Sequence, residues 1–393
     1  MGDSGAGNTL GRELSVEDFR FDGPLGSDGA AIERVDRNHF RITLGHAPEH
    51  PEWCNKLQFQ ITGNAKGNAL HLHVVFHGGN SMILNEYSNS WSYDGKNWQP
   101  IHWETNCKDS EEGDTLVLPE FTEDVVYLGH QVPMSHEDLV ELIDGWRGNP
   151  NVAVHVLGQS LGGRDIHRIE ITDPDSPHPR SARWVHHVAN QHPGEHNSQW
   201  RMVGMIDWLL SDEGADTRRR SISHFIVMMS PDAPSQGWYR VNAQGVDMNR
   251  SYFAEGADPD EQALEPYLCQ KDLEGLMASE APVTDVWSMH TWGGIVEPLL
   301  NPGPEMGTAV GPWAELKEII EQNDTQGLIK PLAVRNSAKL GFVTWTAGPH
   351  EQFGLSTFLC EGAGAVYTKQ PNLDAGAVLM KSLGDYYRGT KQP

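Results

Sequence analysis

The sequence predicts two architectures in series: an all-β antiparallel sandwich over residues 16–122, then an α/β domain over residues 123–393 built on a mixed twisted sheet flanked by helices. Three observations point there. Apolar residues alternate with period two in the first third of the chain; the texture changes near Pro119-Glu-Phe-Thr; and beyond it strand-like and helix-like runs follow one another repeatedly. With 393 residues, the chain is long enough for two or three domains at roughly 150 residues each.

The first 15 residues are polar and Gly-rich and are expected to fray. Leu57-Gln-Phe59-Gln-Ile61 and Leu70-His-Leu72-His-Val74 then alternate as half-buried strands do, with Gly63 and Gly67 between them. Asp94-Gly95 lies between Trp91-Ser-Tyr93 and Trp98, where a tight hairpin needs a positive φ. Ser135 and Asp138 form a capping-box pair that opens a helix with Leu139, Leu142, Ile143 and Trp146 on one face. After it, strands are expected at 152–157, 167–171, 184–188 and 224–229, and helices at 198–210, 262–277 and 313–322.

Lys+Arg total 29 against Asp+Glu 54, a net charge of −25. A field of that sign repels phosphate backbones and anionic lipid, so neither nucleic acid nor a membrane is an expected partner. Cys54, Cys107, Cys269 and Cys360 are widely spaced and read as reduced thiols. The first twenty residues lack a basic start followed by an apolar run, and eighteen consecutive apolar residues occur nowhere. A soluble cytoplasmic protein is the expectation. No heptad run or distinctive apolar edge assigns an oligomeric partner.

Three strings compete for the chemistry. Gly158-Gln-Ser160-Leu-Gly162 is a G-x-S-x-G, with His77-Gly-Gly79 upstream as an oxyanion loop would be, which suggests a serine esterase. A nucleophile elbow must run from strand into helix, whereas Arg164-Asp-Ile166-His-Arg-Ile169-Glu-Ile171 reads as the second strand of a hairpin turning through Gly162-Gly163. His192-Pro-Gly-Glu195-His196 contains H-x-x-E-H, which as a zinc motif needs both histidines on one continuous helix. Pro193 and Gly194 oppose that helix. The third reading treats the same residues as a loop at the carboxyl end of a strand, where open α/β sheets place ligands: His192 and Glu195 bind zinc from this turn. A catalytic zinc needs a third protein ligand, and His290, at the end of the apolar run Val286-Trp-Ser-Met, is the best candidate.

HPGE followed by His-Asn-Ser-Gln-Trp and a helix resembles the metal turn of the zinc carboxypeptidase family, in particular its cytosolic carboxypeptidase-like branch with an N-terminal β-sandwich domain. Gly237-Trp-Tyr-Arg240 and Gly245-Val-Asp-Met-Asn249-Arg250 resemble the family's Arg and G-x-D-x-N-R segments, and Leu355-Ser-Thr-Phe-Leu-Cys-Glu361 its last strand. The order His192, Glu195, Arg240, Asn249, Arg250, His290, Glu361 matches the family, and the resemblance covers nearly the whole chain after its start.

The resemblance implies an α/β carboxypeptidase-like catalytic domain with one Zn2+ per chain, held by His192, Glu195 and His290. By the same likeness Glu361 takes a proton from water and delivers it to the leaving amine, and Arg240 stabilises the oxyanion. Asn249 and Arg250 would grip the terminal carboxylate of a peptide or protein substrate, a task that suits the planar guanidinium fork. The implied activity is a zinc metallocarboxypeptidase. The alternatives are a zinc esterase or amidase on the same fold, the Ser160 esterase, and a binding module with a vestigial metal site. Two departures from the family pattern stand out. No Tyr occurs between Thr291 and Cys360 to serve as the mobile lid residue, with His350 a candidate substitute, and Ser288 replaces the usual Asp, so the partner that orients His290 is expected to come from elsewhere. Arg335, Lys339, Trp345 and Thr346 are the candidates for setting side-chain preference.

Overall fold

Alternation in the first third of the chain produces strands with one face turned to a shared interior. The computed structural model describes residues 12–78, 89–108, 112–292, 299–302, 310–329, 333–334, 343–363 and 368–389. One five-stranded sheet has the order Phe19–Arg20, Phe59–Ile61, Val126–His130, Asn89–Ser92, Gln99–Ile101, and a second the order Cys107–Lys108, Asp114–Leu118, Leu70–Val75, His39–Thr43, Ala31–Asp36. Phe59, Ile61, Val126 and Leu128 of the first sheet and Phe40, Ile42, Leu70, Leu72, Val74 and Leu116 of the second share one buried core, the layering of a sandwich. Asp94-Gly95 turns the expected hairpin, with Gly95 at φ +71°.

The sandwich differs from expectation in three details. Strand Val126–His130 lies past residue 122 yet pairs with Phe59–Ile61 and Asn89–Ser92, so the change of texture near Pro119 marks a loop between two sandwich strands. His39–Thr43 runs parallel to Leu70–Val75, while the other pairs of these two sheets are antiparallel. Leu14, inside the segment expected to fray, is fully buried in the core, and Arg12 and Ser15 are tied to Asp18. One apolar side chain with an ion pair beside it suffices to anchor the segment from residue 12; residues 1–11 lie outside the described residues.

The capping box forms as read. Ser135 Oγ accepts from Asp138 N–H at 3.0 Å, Asp138 Oδ2 accepts from Ser135 N–H at 2.8 Å, and helix His136–Trp146 buries Leu139, Ile143 and Trp146. Next comes an eight-stranded sheet in the order Val152–Gln159, Asp165–Ile171, Ser221–Ile226, Trp184–Asn190, Asp285–Trp292, Ser356–Ala363, Leu299–Pro302, Ala333–Val334. Its four inner strands are mutually parallel, and antiparallel pairs flank them. Strands Trp184–Asn190 and Ser221–Ile226 are buried on both faces, as parallel strands between helical layers are, polar members such as His187 and Ser223 included. Helices His196–Leu210 and Lys369–Gly389 pack together through Met202, Met205 and Ile206 against Ala375, Leu379 and Leu383.

Two features of this sheet position the site. Trp184–Asn190 and Asp285–Trp292 are neighbours with Asn190 opposite Met289, so the residues that follow them emerge side by side at the carboxyl edge. On the next strand Glu361 stands opposite His290. This edge is where open α/β sheets bind ligands.

The sandwich reaches the mixed sheet through Lys56, which is 4% exposed, with its Nζ 2.8 Å from His196 Nε2 and its backbone N–H donating to the Gly237 carbonyl. Burial lowers its pKa from 10.5 to about 7. Between those values the unfolded chain holds a proton that the folded chain has shed, so this residue makes stability rise with pH across the window, and its penalty is complete below about pH 7. Lys56→Met is expected to stabilise the protein by ~2 kcal/mol near pH ~6, with the gain shrinking toward pH ~10. Urea denaturation at the two pH values measures it; a gain that grows with pH would show that the ammonium is not the destabilising group.

Candidate metal centre

The turn after strand Trp184–Asn190 brings His192 and Glu195 together. Pro193 and Gly194 keep these residues out of the helix, which begins at His196 with Glu195 as its N-cap. His192 and His196 therefore do not share a helical face, and His196 turns instead toward Lys56 and Gln199. Gly194 permits a close approach: its N–H donates to the Tyr239 carbonyl at 2.8 Å, and a Cβ there would lie 2.5 Å from the Tyr239 ring. The turn is thus pressed against the segment that carries Arg240.

His192 Nδ1 lies 2.8 Å from Glu195 Oε1, while His290 Nδ1 lies 2.9 Å from Glu195 Oε2 and 3.1 Å from His192 Nδ1. All three residues are at most 3% exposed. They form the one cluster of three or more His, Cys, Asp or Glu side chains found among the described residues with ligand atoms close enough to share an ion. Two imidazoles and a carboxylate are a donor set of catalytic zinc, and this buried cluster fits a metal site.

Electrostatics matches the geometry. Burial alone would raise the pKa of Glu195, but His192 and His290 outweigh it and hold the carboxylate ionised, well below its usual range. Thr291 N–H donates to Glu195 Oε2 at 3.0 Å, and Tyr239 OH lies 3.4 Å from Oε1. Burial likewise opposes charge on His192, yet Glu195 and Asp247 keep its pKa raised; for His290 burial prevails and the pKa falls.

Asp247 was not singled out from the sequence, although it stands two residues before Asn249. Its Oδ1 lies 3.0 Å from His192 Nε2, its Oδ2 accepts from Arg240 Nε at 2.7 Å, and Oδ1 also accepts from Asn249 N–H at 2.9 Å. One carboxylate thus orients an imidazole, a guanidinium and the turn carrying Asn249-Arg250. Asn249 Oδ1 accepts from Trp345 N–H at 3.0 Å, and its Nδ2 lies 3.2 Å from His290 Nε2. Arg250 is exposed, with Nη1 donating to the Asn249 carbonyl at 2.7 Å.

Glu361 is partly buried beside this cluster. Burial, then the Glu195 charge, push its pKa up to about 8, against the lowering pull of His192 and Arg240. The partner of His290 expected from elsewhere proves to be Ser288 itself, whose Oγ lies 2.9 Å from His290 Nε2. His350 sits on helix Ala347–Phe353 with Nδ1 2.8 Å from the Leu355 carbonyl. Trp345 and Thr346 are buried, and Arg335 and Lys339 lie outside the described residues.

Ser160 occupies the turn of the hairpin formed by Val152–Gln159 and Asp165–Ile171. Its Oγ donates to Asp232 Oδ1 at 2.8 Å, Gly162 N–H donates to Asp232 Oδ2 at 2.8 Å, and Arg164 Nη1 pairs with the same carboxylate at 3.0 Å. The G-x-S-x-G string therefore builds an Asp-clamped turn rather than an elbow.

Comparison with known proteins agrees with this fold. Residues 139–289 match the family model described as zinc carboxypeptidase. An uncharacterized protein of Zymomonas mobilis is 27% identical over 61% of this chain and 61% of its own length, and cytosolic carboxypeptidase 2 of Danio rerio is 32% identical over 42% of this chain and 22% of its own. The chain thus spans less than two thirds of the length of these relatives. The crystal structure of a metallo-carboxypeptidase from Burkholderia cenocepacia superposes with a TM-score of 0.76 at 18% identity, over 93% of this chain and 99% of that one. A metallo-carboxypeptidase from Pseudomonas aeruginosa, solved with (2-guanidinoethylmercapto)succinic acid, gives 0.75 at 19% identity over 93% and 98%. At such identities the likeness establishes a carboxypeptidase-like fold. Among the described residues no helix is long and apolar enough to cross a membrane.

Proposed function

With residues 139–289 matching a zinc carboxypeptidase model, we propose that the protein is a zinc metallocarboxypeptidase that removes C-terminal residues from peptides or protein tails. The convergence of His192 Nδ1, Glu195 and His290 Nδ1 carries this reading. Zinc held by these three residues would supply Lewis-acid charge at the scissile carbonyl.

The remaining steps belong to the side chains around it. Glu361, at the carboxyl edge beside His290, takes the proton of the attacking water and returns it to the departing amine; a carboxyl whose pKa sits above its ordinary range suits both transfers. Arg240 is pinned at Nε by Asp247, and its two Nη groups have no hydrogen-bond partner among the described residues; they face the developing oxyanion and oppose its charge. Arg250 grips the terminal carboxylate of the substrate. Asn249 assists through its side-chain amide, which donates.

A C-terminal residue profile tests the proposal. Peptides with free C-termini are expected to lose single terminal residues, the same peptides amidated at the C-terminus are expected to resist, and a chelator should stop the reaction. Cleavage of acyl esters with no turnover of any peptide would move the activity to a non-peptide substrate.

A further inference from the structure

The two imidazoles of the cluster are held from behind by different chemistry. His192 has the Asp247 carboxylate 3.0 Å from its Nε2. His290 has a neutral chain: Ser288 Oγ lies 2.9 Å from His290 Nε2, and the same hydroxyl donates to Gln191 Oε1 at 2.6 Å. Gln191 and Ser288 are fully buried and His290 is 2% exposed, so water does not compete for these bonds. Gln191 follows strand Trp184–Asn190 directly, and Ser288 lies on the adjacent strand opposite Ala189, so strand register delivers both to the back of His290.

A serine hydroxyl has one proton to give. Committed to Gln191 Oε1, it can meet His290 Nε2 only as an acceptor, which favours the ring proton on Nε2 and a lone pair on Nδ1, the form a cation needs; until a cation is bound, the Glu195 carboxylate 2.9 Å from Nδ1 favours the opposite tautomer. Without the Gln191 carbonyl, the hydroxyl is free to turn and donate to Nε2, which would put the ring proton on Nδ1, where a cation must bind. Asn249 pulls in that wrong direction. Its Oδ1 is fixed by Trp345 N–H, so its Nδ2, a donor, faces His290 Nε2 at 3.2 Å. The chain from Gln191 works against both pulls.

We propose that Gln191 is a positioning residue which, acting through Ser288, selects the Nε2–H tautomer of His290 and so readies Nδ1 for zinc. The inference rests on the proposed metal site. Outer partners of metal-binding histidines typically contribute 10–100-fold in affinity.

The test combines zinc affinity, by chelator competition, with the protonation pattern of the His290 ring in metal-free full-length protein, by nitrogen NMR. Gln191→Met is expected to weaken zinc binding by about 10-fold and Ser288→Ala by roughly 10–100-fold. The double variant should be no weaker than Ser288→Ala, because the two residues form one chain. Gln191→Glu, which keeps an acceptor, should bind within about threefold of the parent or tighter, and Ser288→Thr, which keeps the hydroxyl, should restore binding. In Gln191→Met the share of rings protonated at Nε2 should fall in favour of Nδ1, a change that loss of packing alone would not produce. Unchanged zinc affinity and an unmoved proton in folded Gln191→Met would overturn the proposal. Failure of the parent to bind zinc would instead sink the metal site, leaving the ring-proton measurement to judge the relay by itself.

Discussion

Glu361→Gln is expected to retain zinc at the parent stoichiometry while kcat falls by roughly 10²–10⁴-fold. Glutamine preserves the volume of the side chain at the position opposite His290 but can neither take nor return a proton. Metal retention follows because Glu361 is not among the three residues whose ligand atoms converge. Replacing the ionised form also relieves a repulsion, since burial and then the Glu195 charge raise the Glu361 pKa and the two carboxylates compete for ionisation in one buried site. Metal analysis and steady-state kinetics on one peptide check both halves. A variant with parent activity would assign the proton transfer to another group.

Arg240→Ala is expected to lower kcat by about 10²–10³-fold, the usual loss when one donor to a developing oxyanion is removed. Only an interaction stronger in the transition state than in the ground state acts on kcat, so KM should change far less. Arg250→Ala should show the reverse split, a raised KM with a smaller loss of kcat, because a terminal carboxylate carries the same charge throughout the reaction. Arg240→Lys should recover only part of the loss: its ammonium lacks the fork that Asp247 holds at Nε. Equal effects of the two alanine variants on KM alone would remove Arg240 from the oxyanion role.

Much of this molecule is readable in its residue order because local chemistry dictates it. Ser135 and Asp138 cap a helix wherever that pair precedes an amphipathic run, Asp94-Gly95 turns a hairpin through the freedom of Gly95, and Pro193-Gly194 forbids the helix that would place His192 and His196 on one face. The candidate ligands were legible for a similar reason, since each sits at the end of a strand-like run. Partners set by tertiary register were not. Ser288 reaches His290 along its own strand, but Gln191 reaches Ser288 only because two strands distant in sequence lie side by side. Nothing in the residues around Lys56 marks it as buried; the sandwich carries it to His196. Asp247 was visible in the G-x-D-x-N-R string, yet its bonds to both His192 and Arg240 arise from the fold. The strand Val126–His130 was hidden because a polar loop separates it from the sandwich strands it joins.

The metal content of the purified full-length protein, set beside that of His290→Ala, tests the three-ligand cluster most directly. One zinc per chain in the parent and less than about a tenth of that in the variant is the predicted result, because two remaining protein ligands fall short of the three that a catalytic zinc site uses. A parent without zinc that still hydrolyses peptides, or a variant that keeps its full complement, would contradict it.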